Sequence, residues 1–467
     1  MTTVAFCCSE AVPFAKTGGM ADVCGTLPAE LTEQGVETLI FLPFYRQIRD
    51  EHAGAEEVLP GVFRLQQKNA PDIYLIDQPE YFDREGLYGD INGDYPDNLE
   101  RFDFFCRRSL EAMRDLKLGV DIVHCHDWQT GLIPVYLNYQ YADDPVLGTI
   151  RSVLTIHNLA YQGLFPKEYF GKLPFADNVL QKAGFYFYGK LSLLRAGIVS
   201  ADHVTTVSPR YAQEIRTEEK GCGMHDVLAD RGDSLSGILN GLDYGFWDPE
   251  HDGLIKQRFS AQTPEGKTVN KKELQLLSGL PPRADVPVFG FVGRLSHQKG
   301  IDLLADSVSS LMENDAQLIM LGVGDRDAQD KVLQIADRFP NKAAAHVAFD
   351  EDLAHQVYAG SDFFLMPSVF EPCGLSQMIS MAYGTLPIVY QTGGLADTVI
   401  DVRDDGNGLV FDEYSREAFV STLNRAVDMY TGHSGMDEAV SQAFASRFPW
   451  ETAAEQYRDL YRTLQTV

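Results

Sequence analysis

The chain has 467 residues, 45% of them hydrophobic, which is enough for about two to three domains with cores of their own. Its 67 acidic residues against 39 basic ones leave a formal charge of −28, a field that repels nucleic acid and anionic membranes and excludes a polyanion as partner. No apolar stretch approaches the roughly 20 residues that span a bilayer, and the seven scattered cysteines, with no CxxC pair, read as reduced thiols.

From the N-terminus, MTTVAFCCSEAVPFAKTGG has no basic n-region, so a cytoplasmic protein is expected. TVAFCC reads as a buried strand, followed by a helix near 20–34 closed by Gly35 and a second strand in VETLIFLPF. The rhythm returns in DIVHCH, RSVLTIH and HVTTVS, and again in PVFGFVGRL, AQLIMLG, HVAF, DFFLMPS and LPIVY. Strands separated by helices predict parallel sheets covered on both faces, hence an α/β chain of two doubly wound, Rossmann-like halves. Turn residues crowd into LNGLDYGFWDPEHDG (239–253), which sets the boundary near 245. The expected segments are 1–245, 246–447 and a terminal helix in 448–467, where Trp450, Ala454, Tyr457, Leu460 and Tyr461 fall at helical spacing behind Pro449. Ligands of such sheets bind beyond the carboxyl ends of the strands, so the site is expected in a cleft between the halves.

KTGGMADV (16–23) recurs as QTGGLADTV (391–399). In each copy, glycines between strand and helix permit a tight turn and close approach of backbone to a ligand, and free helix N–H groups favour an anion. The plainer reading is a pair of strand-to-helix turns. Lys16 precedes the first copy and Gln391 the second, so only one brings a cation. GRLSHQKG (293–300) follows PVFGFV and opens a helix expected from about Gln298 to Leu311. There Arg294 supplies a planar fork and Lys299 a compact charge, a pair that suits a diphosphate leaving group unless both are simply solvated.

SVFEPCGLSQ (368–377) places Glu371 between a strand and a helix expected to begin around Cys373. A carboxylate there grips sugar hydroxyls or stabilises positive charge; the plainer reading is an acid at a helix N-terminus. No Asp or Glu follows from Pro372 to Ala396, so the local sequence offers no carboxylate pair for double displacement. In HCHDW (124–128), His124 and His126 share a strand face, but spacing places no further ligand and no metal is assigned. Asp127, at that strand's end, is the better candidate for the site, and TIHNLAYQG (155–163) ends another strand with His157 and Asn158 on the same edge. Cys373 reads as a packing residue.

Taken together, KTGGMADV, HCHDW, TIHNLAYQG, LNGLD, GRLSHQKG, FEPCGLSQ and QTGGLADTV resemble the ADP-glucose-type glycogen and starch synthases, glycosyltransferase family 5, over essentially the whole chain. REGLYGDINGDYPDNLERF (84–102) and FPWETAAEQYRDLY (448–461) are similar to that family as well. The resemblance implies a GT-B fold whose cleft opens and closes, with the terminal helix crossing back to the first domain. It implies that Lys16, Gly18 and Gly19 meet the sugar-nucleotide diphosphate from one wall, with Asp22 and Asp127 as further contacts, and that Arg294 and Lys299 meet it from the other. Glu371, with Cys373, Gly374 and Leu375 of its motif, would hold glucose, and His157 would lie beside the reacting carbon. Asn158 and Asn240 would contact substrate, Thr392, Gly393 and Gly394 would add backbone donors, and adenine would sit against Tyr358. The implied catalytic set is Glu371, His157, Lys299, Arg294 and Asp127. The implied reaction moves glucose from ADP-glucose to the non-reducing 4-hydroxyl of an α-1,4-glucan with retention, using no cofactor or metal. Met20, where the family commonly has leucine, is a slight departure, as is His297 at a variable position. The rival readings are a related transferase using UDP-glucose or a small acceptor, and a silent glucan-binding scaffold; no lysine motif supports phosphorolysis with pyridoxal phosphate.

Overall fold

The computed structural model describes residues 2–52, 54–68, 70–90, 93–432 and 435–466, so Ile91 and Asn92 of the 84–102 motif lie outside the described residues. The chain divides into two compact units, Met1–Gly241 with Trp450–Val467, and Leu242–Pro449. The first cut thus falls at Gly241 instead of 245, and the last segment of the chain belongs to the first unit.

The first unit is built on a sheet of nine strands: β1 (Thr3–Cys7), β2 (Glu37–Pro43), β3 (Glu56–Leu59), β4 (Val62–Leu65), β5 (Asp72–Ile76), β6 (Ile122–His126), β7 (Arg151–Ile156), β8 (His203–Thr206) and β9 (Leu235–Gly237). Their order is β9-β8-β7-β6-β1-β2-β5-β4-β3. Pairing is parallel from β9 through β5, whereas β4 and β3 add an antiparallel edge that the alternation of strands and helices did not foretell. The central strands are continuous apolar runs because both faces are covered: all five residues of β1 and of β6 are buried. Helix α1 (Gly19–Glu33) buries Met20, Val23, Cys24, Leu27 and Leu31 at helical spacing. The terminal helix, residues Trp450–Gln465, buries Trp450, Ala453, Ala454, Tyr457 and Tyr461, while Leu460 is only partly covered. A Cβ on Gly241 would lie 2.6 Å from Trp450 atoms, so a glycine is needed where that helix starts.

The second unit carries a six-stranded, all-parallel sheet of β10 (Val288–Val292), β11 (Gln317–Leu321), β12 (Ala343–His346), β13 (Phe363–Met366), β14 (Leu386–Tyr390) and β15 (Leu409–Phe411), in the order β12-β11-β10-β13-β14-β15. Its core is a separate apolar cluster that includes Phe289, Leu318, Phe363, Leu365 and Ile388. Three expectations are corrected here. The strand expected at HVAF lies earlier, at AAAH, since alanines carry little strand preference in sequence but pair Ala343 to Leu318 and His346 to Leu321. The helix expected from Gln298 begins only at Ile301: His297–Lys299 make a separate turn, and Gly300 takes φ 74° where a Cβ would fall 1.8 Å from the Pro367 carbonyl oxygen. The helix expected at Cys373 begins at Ser376.

Candidate functional site

In the first unit, β1 ends at Cys7 and the chain loops through residues 8–18 before α1 begins at Gly19, so KTGG does not follow its strand directly. The loop is organised by Glu10, which is 3% exposed. Its carboxylate accepts from the Thr17 backbone N–H, from Gly18 N–H at 3.2 Å, from the Thr17 hydroxyl at 2.7 Å and from the Tyr88 hydroxyl at 2.6 Å. Gly18 was expected to offer its N–H to phosphate; that donor is already engaged by an internal carboxylate. A Cβ on Gly18 or Gly19 would meet nothing within 4 Å, so these glycines leave open space. Lys16 Nζ pairs with Asp22 at 2.7 Å across the helix start, with both side chains partly in solvent.

The carboxyl ends of β6 and β7 bring the histidines together. Asp127 holds φ 55° and ψ −167°, a strained backbone state found almost only at glycine, and is buried. Its carboxylate accepts the His157 backbone N–H at 2.7 Å and is also bonded by the Asn158 backbone. Burial raises the Asp127 pKa to about 7, and those two backbone donors only partly oppose it. Asp127 therefore ties the two strand ends to each other instead of pointing a free charge outward. His157 Nε2 lies 3.0 Å from His126 Nδ1, and burial pushes the His157 pKa down to about 3, so the ring is neutral near pH 7. His124 is held from both sides, by the Tyr461 hydroxyl of the terminal helix at 2.7 Å and by Thr155 Oγ1 at 2.6 Å. Asn158 turns the chain, its side-chain oxygen accepting from Ala160 N–H at 3.0 Å. Asn240 is 6% exposed, and its side-chain oxygen lacks a partner among the described residues.

In the second unit, the cation and the carboxylate singled out separately form one pair. Lys299 Nζ donates to Glu371 Oε2 at 2.6 Å, and Ser368 Oγ donates to the same oxygen at 3.0 Å. Glu371 is 5% exposed, whereas the Lys299 side chain is 25% exposed. Arg294 is exposed in the loop after β10. Gly374 holds φ 76°, and Gln377 Nε2 donates back to the carbonyls of Cys373 and Gly374 at 3.1 and 2.8 Å, fixing the turn that leads into the helix after Leu375. Cys373 is buried, in keeping with a packing role. The second glycine phrase follows β14 at once, with Thr392 as the cap of the helix Gly393–Thr398. Gly394 N–H donates to the Glu371 carbonyl at 3.0 Å and Thr392 N–H to the Tyr390 carbonyl at 2.9 Å. Those two amides, expected to face a ligand, instead hold the Glu371 segment and the turn. Tyr358 also departs from expectation: it is 3% exposed and packed among Trp247, Phe364 and Tyr383, so its ring offers no face to adenine.

The first unit matches the family model "Starch synthase catalytic domain" over residues 3–230, and the second matches "Glycosyl transferases group 1" over residues 278–442. A glycogen synthase from Geotalea uraniireducens is 42% identical over 474 residues, 98% of each chain, and one from Koribacter versatilis is 41% identical over 99% of this chain and 98% of its own. The chain belongs to the glycogen and starch synthase family. Among solved structures, the catalytic domain of starch synthase IV from Arabidopsis thaliana, bound to ADP and acarbose, superimposes with a TM-score of 0.87 at 30% identity over 99% of both chains. The fold of this synthase-family chain is accordingly GT-B, two doubly wound α/β units, and the chain is a glycosyltransferase.

Sequence reasoning passed over two residues that stand out in the structure. Glu10 carried no motif signal, although an acid nine residues before a glycine-rich helix start is a visible oddity once the amides there need acceptors. Phe349, just beyond β12, is 85% exposed. It was hidden by the misplacement of that strand at HVAF.

Proposed function

We propose that the chain transfers glucose from ADP-glucose to the 4-hydroxyl at the non-reducing end of an α-1,4-glucan, with retention of configuration, in the cytoplasm. The observation that carries this reading is the Lys299–Glu371 pair at 2.6 Å beyond the carboxyl ends of the second sheet, with Arg294 exposed in the loop after β10. Lys299 and Arg294 stabilise the charge that develops on departing ADP, fixed cations being most effective where charge appears in the transition state. Lys299 neutralises Glu371, and this supports a role for that carboxylate in gripping glucose hydroxyls over one as nucleophile. Phe349, exposed at the same strand-end edge of the second unit, offers adenine the aromatic face that Tyr358 does not. In the first unit His157 is a neutral imidazole, able to bond a sugar hydroxyl without adding charge, and Asp127 holds its backbone in place. A relative solved with ADP and acarbose supports the nucleotide and the sugar class.

The test is transfer of labelled glucose from ADP-glucose and, separately, from UDP-glucose onto glycogen in chelator-containing buffer, with the new linkage typed by α-1,4-specific hydrolysis. Strong incorporation from ADP-glucose in α-1,4 linkage is expected. A preference for UDP-glucose overturns the donor assignment, and incorporation from neither overturns the whole reading.

A further inference from the structure

The sequence placed no further ligand beside HCHDW, but the fold brings two to His126. Cys24 projects from α1, His126 ends β6 and His157 follows β7, and one ligand atom from each lies within 4.8 Å of the other two. We propose that Cys24, His126 and His157 form a binding site for a soft divalent cation of the zinc class, and that its occupation silences glucosyl transfer by capturing His157. The silencing rests on the role given to His157 above; the binding does not.

Several observations converge on these three residues. His126 Nδ1 and His157 Nε2 are already 3.0 Å apart, and two nitrogens on a tetrahedral zinc, each bonded at about 2.0 Å, lie about 3.3 Å apart. The rings need to open by only a few tenths of an ångström. His126 is fully buried, and among the described residues its ring hydrogen-bonds to His157 alone, through Nδ1. His124, in contrast, has both nitrogens engaged by Tyr461 and Thr155 and is unavailable. Burial holds both His126 and His157 in the neutral, ligating form. The Cys24 thiol is pushed up first by burial, then by Cys8, Glu10 and Asp127. A set of two nitrogens and one sulfur selects zinc, cadmium or copper over magnesium or calcium. His157, partly exposed where Cys24 and His126 are buried, gives the ion its way in.

The probes are cadmium and zinc added to the full-length chain. One equivalent of cadmium is expected to raise the ultraviolet absorption of a cadmium–thiolate bond in wild type and in Cys222→Ser, which removes the exposed thiol, but not in Cys24→Ala. Removing a ligand is expected to weaken cadmium binding by about 100-fold or more. Zinc is expected to inhibit wild-type transfer reversibly, with chelator restoring it, while Cys24→Ala keeps its basal transfer and loses that inhibition. Should Cys24→Ala fail to fold by thermal melting, His126→Gln serves for the binding arm and is expected to lose tight cadmium binding. An undiminished cadmium–thiolate band in Cys24→Ala overturns the site. A lost band with unchanged zinc inhibition overturns only the silencing, and cadmium binding is read independently of whether the chain transfers glucose at all.

Discussion

The two copies of the glycine phrase look alike in sequence and do different physical work. In the first, a Cβ on Gly18 or Gly19 would enter open space, and the turn is secured from behind by Glu10. In the second, Gly393 holds φ 44° with a Cβ position 2.0 Å from the Glu371 carbonyl oxygen, and Gly394 would bring one to 2.1 Å from that of Cys373. The first copy borders open space; the second is glycine because the Glu371 segment already fills the space beside it. A repeated motif can thus mark a repeated position in two related units while the surroundings of its glycines change from open space to tight packing.

The largest effect that would sharpen this contrast is expected from Gly393→Ala or Gly394→Ala. Each forces backbone off backbone, and a loss of about 3 kcal/mol or more in denaturant melts is expected, together with loss of transfer. Gly18→Ala, in open space at a helix cap, is expected to stay within about 1 kcal/mol while raising the KM for the sugar nucleotide. Equal melting losses at both copies would break the contrast.

Next in size is the Lys299–Glu371 pair. Glu371→Gln is expected to lower kcat by about 100- to 1000-fold with the fold intact. Lys299→Met strands a buried carboxylate and is expected to cost about 2 kcal/mol, less than a wholly buried pair because Lys299 is partly solvated. The double variant should recover stability without recovering transfer, and a double-mutant cycle with no coupling would deny that the pair acts as a unit. Behind the first copy, Glu10→Gln is expected to cost about 1.5–3 kcal/mol, since it weakens bonds from Thr17, Gly18 and Tyr88 to a charged acceptor.

A further effect is one of pH. Asp127 has its pKa raised from 3.8 to about 7 by burial, so the folded state binds its proton more tightly than the unfolded state. Its contribution to stability is full below about pH 3.8 and is lost as pH rises to about 7. Asp127→Asn keeps an acceptor for the His157 amide and is expected to flatten the fall in stability across that window. Coincident stability curves for variant and wild type would contradict the burial of this carboxyl group.

Much of the fold was legible because central parallel strands must be apolar throughout: TVAFCC, DIVHCH and LPIVY each became a buried strand. The helix starts were less so. Gly300 and Gly374, both at positive φ, spend one to three residues on turns before the helix begins, and only the approach of neighbouring atoms reveals why. At the site, residue types were readable but partnerships were not. Lys299 and Glu371 stand 72 positions apart and meet only in the folded sheet. Tyr358 is buried and Phe349 exposed, and exposure, invisible in a single sequence, decides which ring can stack.

The central claim is that the second unit's Lys299, and not merely the glycine phrases, holds the departing diphosphate. Calorimetric binding of ADP to wild type, Lys299→Met and Lys16→Met tests it most directly. Loss of a charge-assisted contact at Lys299 is expected to weaken ADP by about 10- to 100-fold, and loss of the solvent-exposed Lys16, paired to Asp22, by less. ADP binding that is unchanged in Lys299→Met would contradict the account.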